Sequence, residues 1–233
     1  MTQPTTQLPR ARVITGTAAE QELRAMGLSP SNLTRPCVEG LQNAVAGYSP
    51  FEPAISFGFS IWSKIVGALR KQLNGEDWKH HDIANAPRSV SPDGTTAIAA
   101  VGGDSQTVHA DGNPRNARTK GPRFANEVEN NAAKSSAPRY TQCRLDLGPG
   151  DKDTVFADLQ TWVLLYFWDR ASNELRLELS LPIECDKGFV TQWETRIIFP
   201  AQDLSGYTEL SSGDDMQSYA ATQDVDFEIT AIS

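Results

Sequence analysis

The chain has 233 residues, of which 39% are hydrophobic and 21% charged, and it carries a formal net charge of −8. That length supports a hydrophobic core without disulfide or metal staples, and the composition argues against wholesale disorder. The acidic balance also argues against a protein that coats nucleic acid non-specifically, because such binding rests on neutralising phosphates with Lys and Arg.

Residues 1–17 are rich in Thr, Gln and Pro, include Arg10 and Arg12, and hold no apolar block of the kind a secretory signal needs. They are expected to form a flexible arm ahead of a single α+β domain over 18–233. Within that domain, 18–92 is expected to be helical, 93–144 to hold a strand, a turn and a basic loop, and 145–233 to be the β part.

Leu23 and Met26 among Glu20, Glu22 and Arg24 predict a short helix from Ala18 to Met26, stopped at Gly27. A second helix is predicted to start with Thr34 as cap and Pro36 in the first turn, and to run through Val38, Leu41 and Val45 to Gly47. The strongest helical pattern is Ser60 to Leu73, where Ile61, Trp62, Ile65, Val66, Leu69 and Leu73 form one apolar stripe opposite Ser63, Lys64, Gly67 and Lys71.

From Gly75 to Pro92 the sequence is polar and predicted irregular. Thr95 to Val101 then predicts a strand closed by Gly102-Gly103-Asp104. Residues 105–144 have few large apolar side chains and are interrupted at Asn113-Pro114, Gly121-Pro122 and Ala137-Pro138, so that only Phe124 to Ala133 looks helical. A stretch of this length without a core face is uncommon in a compact domain and tends to be functional or disordered.

The segment Trp162 to Trp168 is apolar at every position, the pattern of a strand covered on both faces. Leu175, Leu177, Leu179 and Leu181 alternate with Glu174, Arg176, Glu178 and Ser180, predicting a partner strand with one solvated face. Trp193, Thr195, Ile197 and Phe199 predict a third strand, and Val225, Phe227, Ile229 and Ala231 a closing one. The fold class read from this order is α+β: N-terminal helices packed on a C-terminal, mainly antiparallel β-sheet meander, with a long irregular central segment.

Cys37, Cys143 and Cys185 are odd in number and widely spaced, which fits a reducing, cytoplasmic setting better than a disulfide framework. The run from Trp162 to Trp168 is far short of the roughly 20 apolar residues of a membrane-spanning helix, so no membrane partner is expected.

No nucleotide-binding glycine motif, nucleophile elbow or zinc-protease helix is present, and no cofactor is named by the residues. His80, His81 and Asp82, with His109 and Asp111 further on, could supply an open metal site for a metal-dependent hydrolase or nuclease-like enzyme. Adjacent histidines on an extended chain point to opposite sides, however, and surface histidines are the commoner explanation. Cys37 in a first helical turn would have a thiolate favoured by the dipole, against the commoner buried and inert cysteine. Asp224, Asp226 and Glu228 on one face of the last strand, and Glu174 and Glu178 on another, could present carboxylates to a divalent cation, although a solvated sheet face explains both.

The net charge hides a local excess. Residues 112–144 hold seven basic and two acidic side chains, whereas residues 201–233 hold none basic and seven acidic. Arg115, Arg118, Lys120, Arg123, Lys134 and Arg139, with Arg144 and a series of asparagines, suit phosphates, carboxylates and base edges, and Phe124 or Tyr140 could stack a base. These residues point to a binding module that engages an anionic partner, either nucleic acid or an acidic protein surface. A solvated loop, or a structural subunit of a homo- or hetro-oligomeric assembly whose basic segment meets acidic side chains, explains the same pattern.

Overall fold

The computed structural model describes residues 10–83, 86–136 and 159–206. In chain order the elements are β1 (Arg12–Ile14), α1 (Gly16–Ala25), α2 (Pro30–Ala46), α3 (Ala54–Asn74), β2 (Lys79–Ile83), β3 (Ala86–Val90), β4 (Thr96–Gly102), α4 (Pro122–Ser136), β5 (Gln160–Asp169), β6 (Glu174–Asp186), β7 (Phe189–Ile198) and β8 (Gln202–Asp203). The strands form one mixed sheet in the order β1-β7-β6-β5-β4-β3-β2, with β8 paired to β6. The architecture is α+β, and none of the described helices is long and apolar enough to cross a membrane.

The meander β5-β6-β7 is antiparallel as its alternation requires, with Leu164 opposite Leu179 and Leu179 opposite Ile197. Two connections depart from it. β4 and β5 are parallel, with Ala100 opposite Leu164, and β1 runs parallel to β7, with Ile14 opposite Ile197. Residues 12–17 of the expected arm are thus part of the folded domain, as strand β1 and the start of α1, while residues 1–9 lie outside the described residues. Burial of Ile14 and a partner edge on β7 are enough to order Arg12–Ile14 as a strand.

α2 starts earlier than Thr34. Pro30 occupies the first turn, and the Asn32 side-chain oxygen accepts the Ser29 backbone N–H at 2.7 Å. Asn32 also donates to Glu76 at 2.9 Å, tying the start of α2 to the end of α3. Pro36 thus lies inside the helix, and Cys37, placed deeper than a first turn, is fully buried with its thiol pKa pushed far up by desolvation. It is a core residue, not a nucleophile.

The polar stretch after Gly75, expected to be irregular, forms the β2-β3 hairpin at the sheet edge, with His81 opposite Arg88. Its alternation is masked in the sequence because an edge strand buries little. The irregular central segment is likewise reduced, since residues 122–136 are helical and extend the expected Phe124–Ala133 at both ends. The expected strand at 225–231 lies outside the described residues.

α1, α2 and α3 cover one sheet face. Leu23, Leu33, Leu41, Ile65, Leu69 and Leu73 meet Ile98, Trp162, Leu164, Leu177, Leu179 and Ile197 in one core. α2 and α3 approach so closely at Gly40 that a Cβ there would stand 2.5 Å from the Ile65 Cα. α4 covers the other face with Phe124 and Val128 against Ala99, Val101, Val163 and Leu165. β5 is consequently covered on both sides.

Candidate functional site

The face of β6 that carries Glu178 and Ser180 was expected to be solvated. It is closed instead by residues 103–121, which leave β4 at Gly103 and cross β6 and β7 before entering α4. Beneath this loop Glu178 and Arg196 are 0% and 1% exposed and form an ion pair at 2.6 Å. Glu178 therefore offers no carboxylate to a cation.

Every strong group of the pair is used. Arg196 Nε donates to Glu178 Oε1 at 2.9 Å, and its Nη1 donates to the carbonyls of His109 and Gly112 at 3.1 and 2.7 Å. Glu178 accepts from Ser180 Oγ at 2.8 Å and from the Val108 backbone N–H at 2.9 Å. Val108 has φ of 68°, a conformation that a β-branched residue adopts only when its surroundings impose it. The ion pair therefore clamps the loop through its backbone.

A second clamp holds the C-terminal half of the loop. The Asn116 side chain accepts from Val190 N–H at 2.8 Å and donates to the carbonyls of Gly188, at 2.8 Å, and Arg118. Lys120 N–H donates to Gly188 O at 2.8 Å, and a Cβ at Gly188 would stand 2.5 Å from the Lys120 carbonyl oxygen. Trp193 Nε1 donates to Pro114 O at 2.8 Å, and Asn113 Nδ2 to Thr191 O at 3.0 Å.

This scaffold presents Arg115, Arg118 and Lys120 together. The Arg115 guanidinium lies over the Phe189 ring at 4.7 Å. Nε and Nη2 of Arg118 are shielded from solvent and have no acceptor among the described residues, a state that costs free energy. Arg123 stands apart in the first turn of α4, 3.6 Å from Glu127, which also holds Arg88 at 2.6 Å. Lys134 is about 16 Å further along the helix axis. Arg139, Arg144 and Tyr140 lie outside the described residues.

Three of the groups suited to reading bases are occupied. Asn116 serves the loop clamp, and buried Asn131 bonds to Thr161 N, Thr161 O and Pro182 O at 3.0, 2.9 and 3.0 Å. Phe124 is buried in the core beneath α4 and cannot stack a base.

The histidine and carboxylate candidates for a metal are not gathered. His80 and His81 occupy successive positions of β2, and Arg70 donates to Asp82 at 2.6 Å and to the His81 carbonyl at 3.0 Å. This hydrogen bond holds the Asp82 carboxyl below its ordinary pKa. His109 lies 3.4 Å from Arg176 on β6, four strand spacings, or about 19 Å, across the sheet from β2. Among the described residues no three His, Cys, Asp or Glu side chains come close enough to hold a metal ion. Asp224, Asp226 and Glu228 lie outside them.

Sequence reasoning missed a cleft of about 370 Å³ between the first half of α3 and the C-terminal ends of β4 and β5. Phe57, Ile61, Tyr166 and Trp168 contribute its apolar walls, Gly102-Gly103 and Ala117 line it, and Arg170 is at its side. The Gly102-Gly103 pair after an apolar strand was the available signal, read only as a turn. Comparison of the chain with protein-family models, with curated proteins and with solved structures finds no match.

Proposed function

We propose that this protein is a binding module whose loop 112–121 engages an acidic protein surface through Arg115, Arg118 and Lys120. The observation that supports the reading most is Arg118, whose shielded Nε and Nη2 lack an acceptor among the described residues while the backbone around them is clamped at Asn116 and Gly188. A clamped loop loses little conformational freedom on binding, so charge-assisted hydrogen bonds to carboxylates translate into affinity with a smaller entropic loss. Nucleic acid is the weaker alternative, since Asn116, Asn131 and Phe124 are committed to the fold and the chain is acidic as a whole.

The test is fluorescence anisotropy with two labelled probes, a poly-glutamate peptide and a mixed-sequence single-stranded DNA, at low and moderate salt. The peptide should bind the more tightly and lose affinity as salt rises. Changing Arg115, Arg118 and Lys120 together to Glu should abolish that binding. Undiminished peptide binding by the triple variant rejects the reading, and tighter binding of the DNA transfers it to nucleic acid.

A further inference from the structure

The cleft between α3 and the ends of β4 and β5 takes none of its lining from the charged side chains of the basic loop. Its volume of about 370 Å³ sits at the small end of the roughly 300–1,000 Å³ usual for small-molecule sites, which suits a molecule of one or two rings. Its position also follows a general rule: the carboxyl ends of adjacent parallel strands, where the chain leaves the sheet, are where α/β sheets receive ligands.

The lining selects against charge. Phe57 and Ile61 from α3 and Trp168 from β5 supply apolar walls, and Phe57 belongs to the buried core, which holds its ring in place. Among the described residues Arg170 is the one charged side chain of the lining, and it is already engaged. Its guanidinium lies 4.5 Å from the Trp168 ring and 5.6 Å from the Phe57 ring, and both Arg170 and Tyr166 have other interactions within the chain. An anion entering the cleft would give up hydration without gaining a guanidinium of its own, and a cation would meet the Arg170 charge. A neutral ring avoids both costs and gains apolar burial against these walls.

We infer that the cleft is a binding site for a small neutral aromatic molecule, held by apolar contact with Phe57, Ile61 and Trp168. No covalent step is implied. Burial of the ring supplies the affinity, and the cost of dehydrating an ion supplies the preference for a neutral ligand.

The test compares three probes of one shape, neutral 2-naphthylmethanol, anionic 2-naphthoate and cationic 2-naphthylmethylamine, by isothermal titration and ligand-detected NMR on the full chain. The alcohol should bind most tightly, with each ion weaker by about tenfold or more. Phe57→Leu, which keeps that wall apolar but removes its ring, should weaken the alcohol by about threefold to tenfold. Ile61→Trp, which fills the cleft, should weaken it further. Circular dichroism checks that both variants are folded. The inference is overturned if the alcohol does not bind, if either ion binds as tightly as the alcohol, or if folded Ile61→Trp binds the alcohol as the parent does. Should Ile61→Trp not fold, Phe57→Leu decides: unchanged binding of the alcohol overturns the site. The comparison of probes on the parent needs no variant, so it can refute the inference by itself. The anisotropy assay on the basic loop uses none of these residues, and the two readings fail separately.

Discussion

α1, α2 and α3 cover one face of the sheet with Leu, Ile and aromatic side chains that need only to be packed, whereas the face toward α4 buries Glu178 and Arg196 and satisfies them through the backbone of the crossing loop. Apolar burial is non-directional and supplies the larger share of stability. A buried ion pair contributes little net stability because desolvation of both charges offsets their attraction, yet it is exacting about where its partners stand. The helical face therefore holds the sheet together, and the polar face fixes the position of one loop.

Removing half of the ion pair tests that division most severely. Glu178→Ala leaves Arg196 buried without its carboxylate and should cost about 3–5 kcal/mol in urea unfolding. Amides of the 104–118 loop should exchange faster at the same time. The double variant Glu178→Leu with Arg196→Leu should recover much of the stability but not the slow exchange; if it recovers both, the pair does not position the loop.

On the opposite face, Gly40→Ala should cost about 3 kcal/mol, since the clash is with the backbone of Ile65 and no side chain can move aside. Loop exchange should be unchanged. A variant as stable as the parent would show that α2 and α3 separate easily, contrary to the close packing described.

Asn116→Ala should cost about 2 kcal/mol by leaving the Val190 N–H and the Gly188 carbonyl without their side-chain partner. Binding of poly-glutamate should fall although no cation has been removed. Equal binding would mean that the clamp does not serve the interface.

The smallest effect belongs to the surface pair Arg70–Asp82, worth under about 1 kcal/mol. Because Arg70 lowers the Asp82 pKa, the contribution is present above the ordinary carboxylate pKa and disappears as pH falls through the lowered value. The stability difference between the parent and Arg70→Ala should accordingly shrink in acid. A difference independent of pH would assign the effect of Arg70 to its contact with the His81 carbonyl.

Much of the scaffold was legible along the chain. The stripe from Ile61 to Leu73 and the alternation of Leu175 to Leu181 state directly which side is buried, since each element has a single apolar face. Residues 54–59 of α3 lie ahead of the predicted Ser60–Leu73 because their apolar residues do not share one buried face: Ile55 and Phe59 are exposed while Phe57 is buried. The β2-β3 hairpin was not legible because His80, His81 and Asp82 sit on an edge where burial imposes no alternation. Of the candidate site, Arg115, Arg118 and Lys120 were found by charge, but the commitment of Asn116, Asn131 and Phe124 to the interior was not, since an amide or a ring looks the same whether it faces a base or a backbone.

The sequence by itself determined the class of architecture, the covered strand at Trp162–Trp168 and the place of the basic island, because periodicity and charge are local properties. Only the tertiary structure decided that Glu178 is buried, that β4 and β5 run parallel, and that Phe57, Trp168 and Arg170 share one cleft. Those facts depend on which distant segment covers which face, and hydrogen-bond partners far apart in the chain leave no period to read.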